Sequence, residues 1–451
     1  MSDNDDDHIV EPHTSTLHTR REFLRTSMLG AAVSFTVPVF LQKTFFTLDA
    51  MAADSAIQTA TGKDNSILVV LQLAGGNDGM NTVIPYADDA YYQARPVIGI
   101  AKNTVIKLND YVGLNPKLAG LKGLYDQGQF SILQGVGYPN PNRSHFRSTE
   151  IWQTASDSNV SEQYGWLGRY FDSCCKGADP TVGVAIGNQV PQSFASADPT
   201  GVSFSNPQQY RWVNGDPGGG SADVYREMNE PEMDPAMLDA NDGGSVDSIP
   251  GVPPISRRES TLEFLQRTAL DAQMSSDKII AIAKKYPASV SYPRTALGDS
   301  LSLVGRMIAG GLATRVYYVS QGGYDTHQNE LPTHTRLMGE LNDALVAFAQ
   351  DMQAQGNFGR VMLMSFSEFG RRVQQNASNG TDHGAAAPMF VMGGNIKAGL
   401  HGQYPSLSAL NQGDLAYNVD FRSVYATILD KWLRAPSKDV LGRQFPLMNL
   451  V

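Results

Sequence analysis

Short, nearly continuous apolar runs punctuate the chain at 67–73 (ILVVLQL), 130–136 (FSILQGV), 315–320 (RVYYVS), 360–366 (RVMLMSF) and 388–392 (PMFVM). Runs of this kind are the pattern of strands buried on both faces of a parallel sheet. Between them, apolar positions recur at helical spacing over 261–285, 296–312, 331–353 and 421–433. Strand alternating with helix predicts an α/β fold with a mostly parallel central sheet and helices on both faces. Residues 192–256 break the rhythm with NGDPGGG, DGG and PGVPP, and read as a loop-rich insertion or lid. The pattern contains no internal repeat and no heptad. After residue 66 no apolar stretch is long and uncharged enough to cross a bilayer, which excludes a multi-pass membrane protein.

The first 52 residues follow a different logic. Residues 1–19 are polar and carry Asp3, Asp5, Asp6 and Asp7; TRREFL then precedes a moderately apolar stretch over 28–41. Paired arginines before such a stretch resemble a bacterial twin-arginine export signal. Ala50-Met51-Ala52 supplies a small-x-small cleavage site before Ala53. The competing reading is a permanent anchor, but Pro38, Gln42 and Lys43 interrupt the stretch. The expected organisation is a signal peptide over 1–52 and a single domain over 53–451. That makes the twin-arginine export machinery a partner, the periplasm or exterior the destination, and leaves no stable membrane span after processing.

Composition narrows the class further. The chain has 451 residues with 45 acids against 35 bases, a net charge of −10, which argues against nucleic-acid binding. Its two cysteines, Cys174 and Cys175, are adjacent. A disulfide between neighbours is strained, so two thiols are expected.

Ligands of open α/β sheets sit beyond the carboxyl ends of the strands. Three strand ends deliver an acid there: Asp78, Asp325 and Glu368. Taken singly, each could be a turn or N-cap residue. Histidines nearby change the weight. His145, His327 and His383 lie in the polar clusters RSH, DTH and TDHG. Asp and His with few cysteines suit zinc, manganese or magnesium. Side chains from separate strand ends could hold one ion, or two about 4 Å apart. His334, at a polar helix start, is expected on the surface, and His401 is open between substrate contact and plain loop residue.

The strings LQLAGGNDGMNTVIPY, RSHFRSTEIW, GGYDTH, SFSEFGR and DHGAAAPMFVMGG resemble the blocks of an uncharacterised, secreted, sulfatase-like family within the alkaline phosphatase and sulfatase superfamily. The resemblance implies an alkaline phosphatase-like fold and metal ligation by Asp78, Asp325, His327, Glu368, Asp382 and His383. It places Ser144 at the nucleophile position, where no Cys stands to become formylglycine. Phe369 departs from the pattern, which would have a ligand histidine there; His145 could refill the place. The implied reaction is hydrolysis of a phosphate or sulfate ester on a small-molecule or glycan substrate. Ser144 or a metal-bound water would attack, with Arg143 or Arg371 stabilising the charge on the non-bridging oxygens. The alternative is a non-catalytic envelope protein whose degenerate site binds a metal or a glycan. A Ser–His–Asp hydrolase is disfavoured, since Ser144 lacks the G-x-S-x-G context.

Overall fold

The computed structural model describes residues 66–175, 180–197, 201–206 and 278–451. The predicted signal peptide, most of 192–256 and the first part of the helix predicted from 261 lie outside the described residues.

Strand β1 (Ile67–Leu73) is buried along its whole length and opens the main sheet. A small antiparallel sheet follows, made of β2 (Val83–Ile84), β3 (Ile106–Lys107) and β4 (Gly113–Leu114). The main sheet resumes with β5 (Phe130–Gly137), β6 (Gly183–Ile186), β7 (Val202–Phe204), β8 (Val316–Gln321), β9 (Val361–Phe366), β10 (Ala387–Gly393), β11 (Gly399–His401) and β12 (Val419–Asp420). Its order is β11-β5-β10-β9-β1-β8-β6-β7, with β12 pairing alongside β5.

The helices are α1 (Gly79–Thr82), α2 (Asp89–Ala94), α3 (Ala119–Asp126), α4 (His145–Thr154), α5 (Trp166–Cys174), α6 (Ala296–Ala309), α7 (Glu330–Ala354), α8 (Phe421–Thr427) and α9 (Ser437–Leu441). They cover both faces, as the pattern predicts. Because strand side chains alternate, Ile67, Val69 and Leu71 share a core with Leu301 and Val304 of α6 and Leu341 and Leu345 of α7. Leu68 and Val70 join Trp152, Trp166 and Tyr425 of α4, α5 and α8. None of the helices among the described residues is long and apolar enough to cross a membrane.

Three expectations are corrected. The 388–392 run does not form a parallel strand: β10 lies antiparallel to both β9 and β5. The chain returns from β9 through 367–386 without a helix, and a parallel partner would need a long crossover. Part of 192–256 belongs to the sheet, because β7 pairs with β6 at its edge. Cys174 and Cys175 form a disulfide rather than two thiols. They straddle the end of α5, where Cys175 leaves helical geometry at φ −133°, ψ 31°.

The strand ends that matter are level. Leu73 of β1 pairs with Gln321 of β8, and Gln72 pairs with Phe366 of β9. The loops leaving β1, β8 and β9 therefore emerge side by side. Gly75 (φ 121°) lets the first of them press on the chain just beyond β8: a Cβ there would overlap the Tyr324–Asp325 backbone.

Candidate metal centre

Four side chains converge beyond these strand ends. Asp325 and His327 come from the loop after β8, His383 from the segment before β10, and His145 from the first turn of α4. Asp325 Oδ1 lies 3.1 Å from both His327 Nε2 and His383 Nε2, and those two nitrogens are 2.9 Å apart. Asp325 Oδ2 is 3.5 Å from His145 Nε2. The donor atoms of His145, Asp325 and His383 all fall within 4.8 Å of one another.

The opposite ring nitrogens are anchored. His383 Nδ1 donates to the Arg143 carbonyl at 2.7 Å, and His145 Nδ1 to Glu368 Oε1 at 3.0 Å. His327 Nδ1 faces Asp382 Oδ1 at 3.5 Å. Carbonyl and carboxylate oxygens only accept, so Nδ1 is the donor in His383 and His145, and all three rings turn Nε2 towards Asp325; a neutral ring protonated at Nδ1 offers a lone pair there. Burial lowers the pKa of His383, which favours that neutral form. Burial would raise Asp325, but the hydrogen bond and charge of Arg371 overcome it and bring its pKa down to about 2. The centre is thus three imidazole Nε2 atoms around an ionised carboxylate. An imidazole anchored through its far nitrogen is how proteins present a metal ligand. Nitrogen and oxygen donors of this kind fit zinc or manganese.

The remaining predicted residues have other partners. Asp78 is fully buried in an ion pair with Arg95 and caps α1 by accepting from Met80 N–H. Its carboxylate is therefore not among the converging groups. Glu368 is buried, and its Oε1 accepts from Gly75 N–H (2.8 Å) and His145. Asp382 is exposed and accepts from Asn376 Nδ2 at 3.2 Å. That hydrogen bond lowers its pKa. Both acids touch imidazoles from behind rather than facing the centre.

The two predicted charge-stabilising arginines are also engaged. Arg143 holds Asp414 through Nε at 2.9 Å and Nη2 at 2.5 Å. Arg371 is buried and donates to the carbonyls of Gly75, Gly76, Tyr324 and Thr381 as well as to Asp325 Oδ1 (2.8 Å). Ser144 is exposed at the N-cap of α4, and its hydroxyl has no hydrogen bond among the described residues. The Phe369 ring packs on the imidazoles of His145 and His383, with centroids 4.9 Å and 4.4 Å away. His334 is not a surface residue: it is fully buried, 3.1 Å from Asn77 Oδ1, and burial lowers its pKa to about 4. His401 lies in β11 and donates to the Lys397 carbonyl.

Sequence reasoning missed a polar network behind the centre. Arg95, Glu330, Thr381 and Asp414 are all buried. Only Glu330 carried a signal, as an acid in the first turn of a helix. Burial and the neighbouring Asp78 carboxylate push the Glu330 pKa up to about 9. The folded chain therefore keeps a proton that the unfolded chain releases above the ordinary value of 4.5. Stability should fall as pH rises from about 4.5 towards 9. Glu330→Gln, which cannot ionise, should flatten that slope in denaturant unfolding across pH 5–9 (about four units, bounded by the same linkage). An unchanged slope in the variant would refute the assignment.

The family described as "Protein of unknown function (DUF1501)" matches residues 255–449. No curated protein matches the chain. Similar solved structures include the C-terminal periplasmic domain of EcEptC from Escherichia coli in complex with Zn: 8% identity, 74% of each chain covered, TM-score 0.31. The PsFucS1 sulfatase from Pseudoalteromonas sp. is 9% identical over 85% of this chain and 69% of that one, with a TM-score of 0.34. The lipoteichoic acid synthase LtaP from Listeria monocytogenes is 7% identical over 90% and 81%, also with a TM-score of 0.34. At such identities and TM-scores the likeness says nothing about ligands or residue roles in this chain.

Proposed function

We propose that this chain is an exported, metal-dependent hydrolase of phosphate or sulfate esters, of the alkaline phosphatase and sulfatase type. The observation that carries this reading is the convergence of three anchored imidazoles on Asp325. In it, His145, Asp325, His327 and His383 hold one divalent ion, zinc or manganese. Glu368, Asp382 and the Arg143 carbonyl orient the rings. Commitment of Asp78 to Arg95 favours one ion over two. Export rests on the TRREFL string and the apolar stretch behind it.

When bound, a divalent ion supplies Lewis acidity, polarising an ester oxygen and acidifying a nearby hydroxyl. The chain's own residues do the rest. Ser144, one residue from His145 and exposed, attacks phosphorus or sulfur; the bond to Oγ forms as the bond to the ester oxygen breaks, and the serine proton ends on that oxygen, so an alcohol departs. Water then attacks the serine ester, releasing phosphate or sulfate and returning a proton to the hydroxyl. Arg371 holds Asp325 in place rather than meeting substrate.

A second reading, a non-catalytic envelope protein that binds a metal or a glycan, is favoured by one observation. Both arginines expected to meet the ester's charge are committed elsewhere.

The test is plasma mass spectrometry on exported protein purified without chelator, followed by phosphate and sulfate ester screening of wild type and Ser144→Ala. About one equivalent of metal, with hydrolysis falling at least about 100-fold in the variant, supports serine attack. Hydrolysis that survives the substitution assigns attack to water. Metal without turnover of either ester class supports the second reading. No metal, even after soaking with zinc and manganese, overturns the hydrolase reading and leaves the second only in its glycan-binding form.

A further inference from the structure

Behind the ligands, one buried carboxyl group joins the two loops that carry most of them. Glu330, the first residue of α7, is fully buried, and its Oε2 accepts from the Thr381 hydroxyl at 2.5 Å. Thr381 lies two positions before His383. Its N–H donates to the carbonyl of Thr326, the residue between Asp325 and His327, at 3.1 Å. Its own carbonyl accepts from Arg371, which also holds Asp325.

The same two segments are laced elsewhere. Glu330 N–H donates to Asn379 O and Asn329 N–H to Ser378 O, both at 2.9 Å. Asn376 Nδ2 donates to His327 O at 2.9 Å. Gly380 permits this closeness, since a Cβ there would overlap the His327 carbonyl group.

From this juxtaposition, and resting on the metal reading above, we infer that Glu330 is a positioning residue for the centre. Through Thr381 it fixes the loop of Asp325 and His327 against the segment of His383. Glu330 touches neither ion nor substrate. A ligand pair held in register by a buried hydrogen bond loses affinity when that bond is lost, even if every ligand remains.

Metal affinity by chelator competition, with zinc as the probe, separates this role from plain stabilisation of the core. Glu330→Ala and Thr381→Val should each weaken zinc binding about 10–100-fold, the usual cost of losing an outer-shell partner. The double variant should be no weaker than the worse single one, because both remove the same hydrogen bond. Glu330→Gln should bind like wild type, since its amide oxygen can accept from Thr381. Leu301→Ala, a core change in α6, serves as the control for destabilisation and should keep wild-type affinity. If Glu330→Ala fails to fold, Thr381→Val carries the test, since it removes only the hydroxyl.

Wild-type affinity in the alanine and valine variants overturns the inference alone. So do additive losses in the double variant, or equal weakening by Leu301→Ala. A wild type that binds neither zinc nor, in a repeat with the second ion, manganese overturns the metal reading, and this inference with it.

Discussion

Asp325→Ala is expected to abolish ion retention, a loss greater than the roughly 100-fold that an outer-shell change costs. Asp325 is the only carboxylate among the converging groups, and it is the one group near all three imidazoles. Its loss leaves the three imidazoles without a carboxylate beside the Arg371 guanidinium, a fixed positive charge next to the site. Asp325→Asn preserves the shape but not the charge, and should lose most of the affinity as well. Asp325 also pairs with the buried Arg371, so the unfolding midpoint of each metal-free variant is measured alongside and affinity is read below that transition. Chelator competition measures the effect. Wild-type affinity in the alanine variant would place the ion elsewhere.

The largest stability effect is expected at Arg95. Its guanidinium is fully buried against Asp78 and donates to the carbonyls of Val373 and Arg372, each at 2.9 Å. Burial pushes the Asp78 carboxyl up, but the charge of Arg95 and hydrogen bonds overcome this and hold it well below the ordinary carboxylate range. Arg95→Met strands that charge, and breaking one side of a buried pair costs about 3–5 kcal/mol. Adding Asp78→Asn should recover part of the loss, because Asn removes the charge and can still cap α1. The pair's contribution is present above the unfolded carboxylate pKa and lost only as pH falls below it, so urea unfolding at neutral pH sees all of it. A cost within about 1 kcal/mol for Arg95→Met would sink the prediction.

The main strands were legible because burial on both faces makes an apolar run nearly continuous; 67–73 coincides with β1. Strands β2, β3, β4, β6, β7, β11 and β12 have two to four residues, too few to show a period. Strand direction is not written in hydrophobicity at all. The direction of β10 follows from its connection.

The four converging side chains, His145, Asp325, His327 and His383, all lie in polar clusters that were legible in the sequence. The division of labour was not. Whether an acid faces an ion or steadies a ring depends on which imidazole nitrogen it meets, and spacing carries no record of that. Glu368 and Asp382 therefore read as ligands, while Phe369 read as a missing one. Asp78 misled for a related reason: its partner lies 17 residues on, in a segment with no motif.

The four proposed ligands hang from loops bound to β5, β8 and β10, at positions 145, 325, 327 and 383. No short stretch of the chain holds them together, and an unfolded chain offers an ion little beyond scattered single imidazoles. An ion in this centre cannot nucleate the sheet; it can only bind the completed one. Its binding free energy then adds to folding almost undiminished, about 2.7 kcal/mol at a free concentration 100 times Kd. On the proposed reading, ion loading would be the closing event of maturation, and an occupied centre would certify that three segments far apart in sequence have found their places.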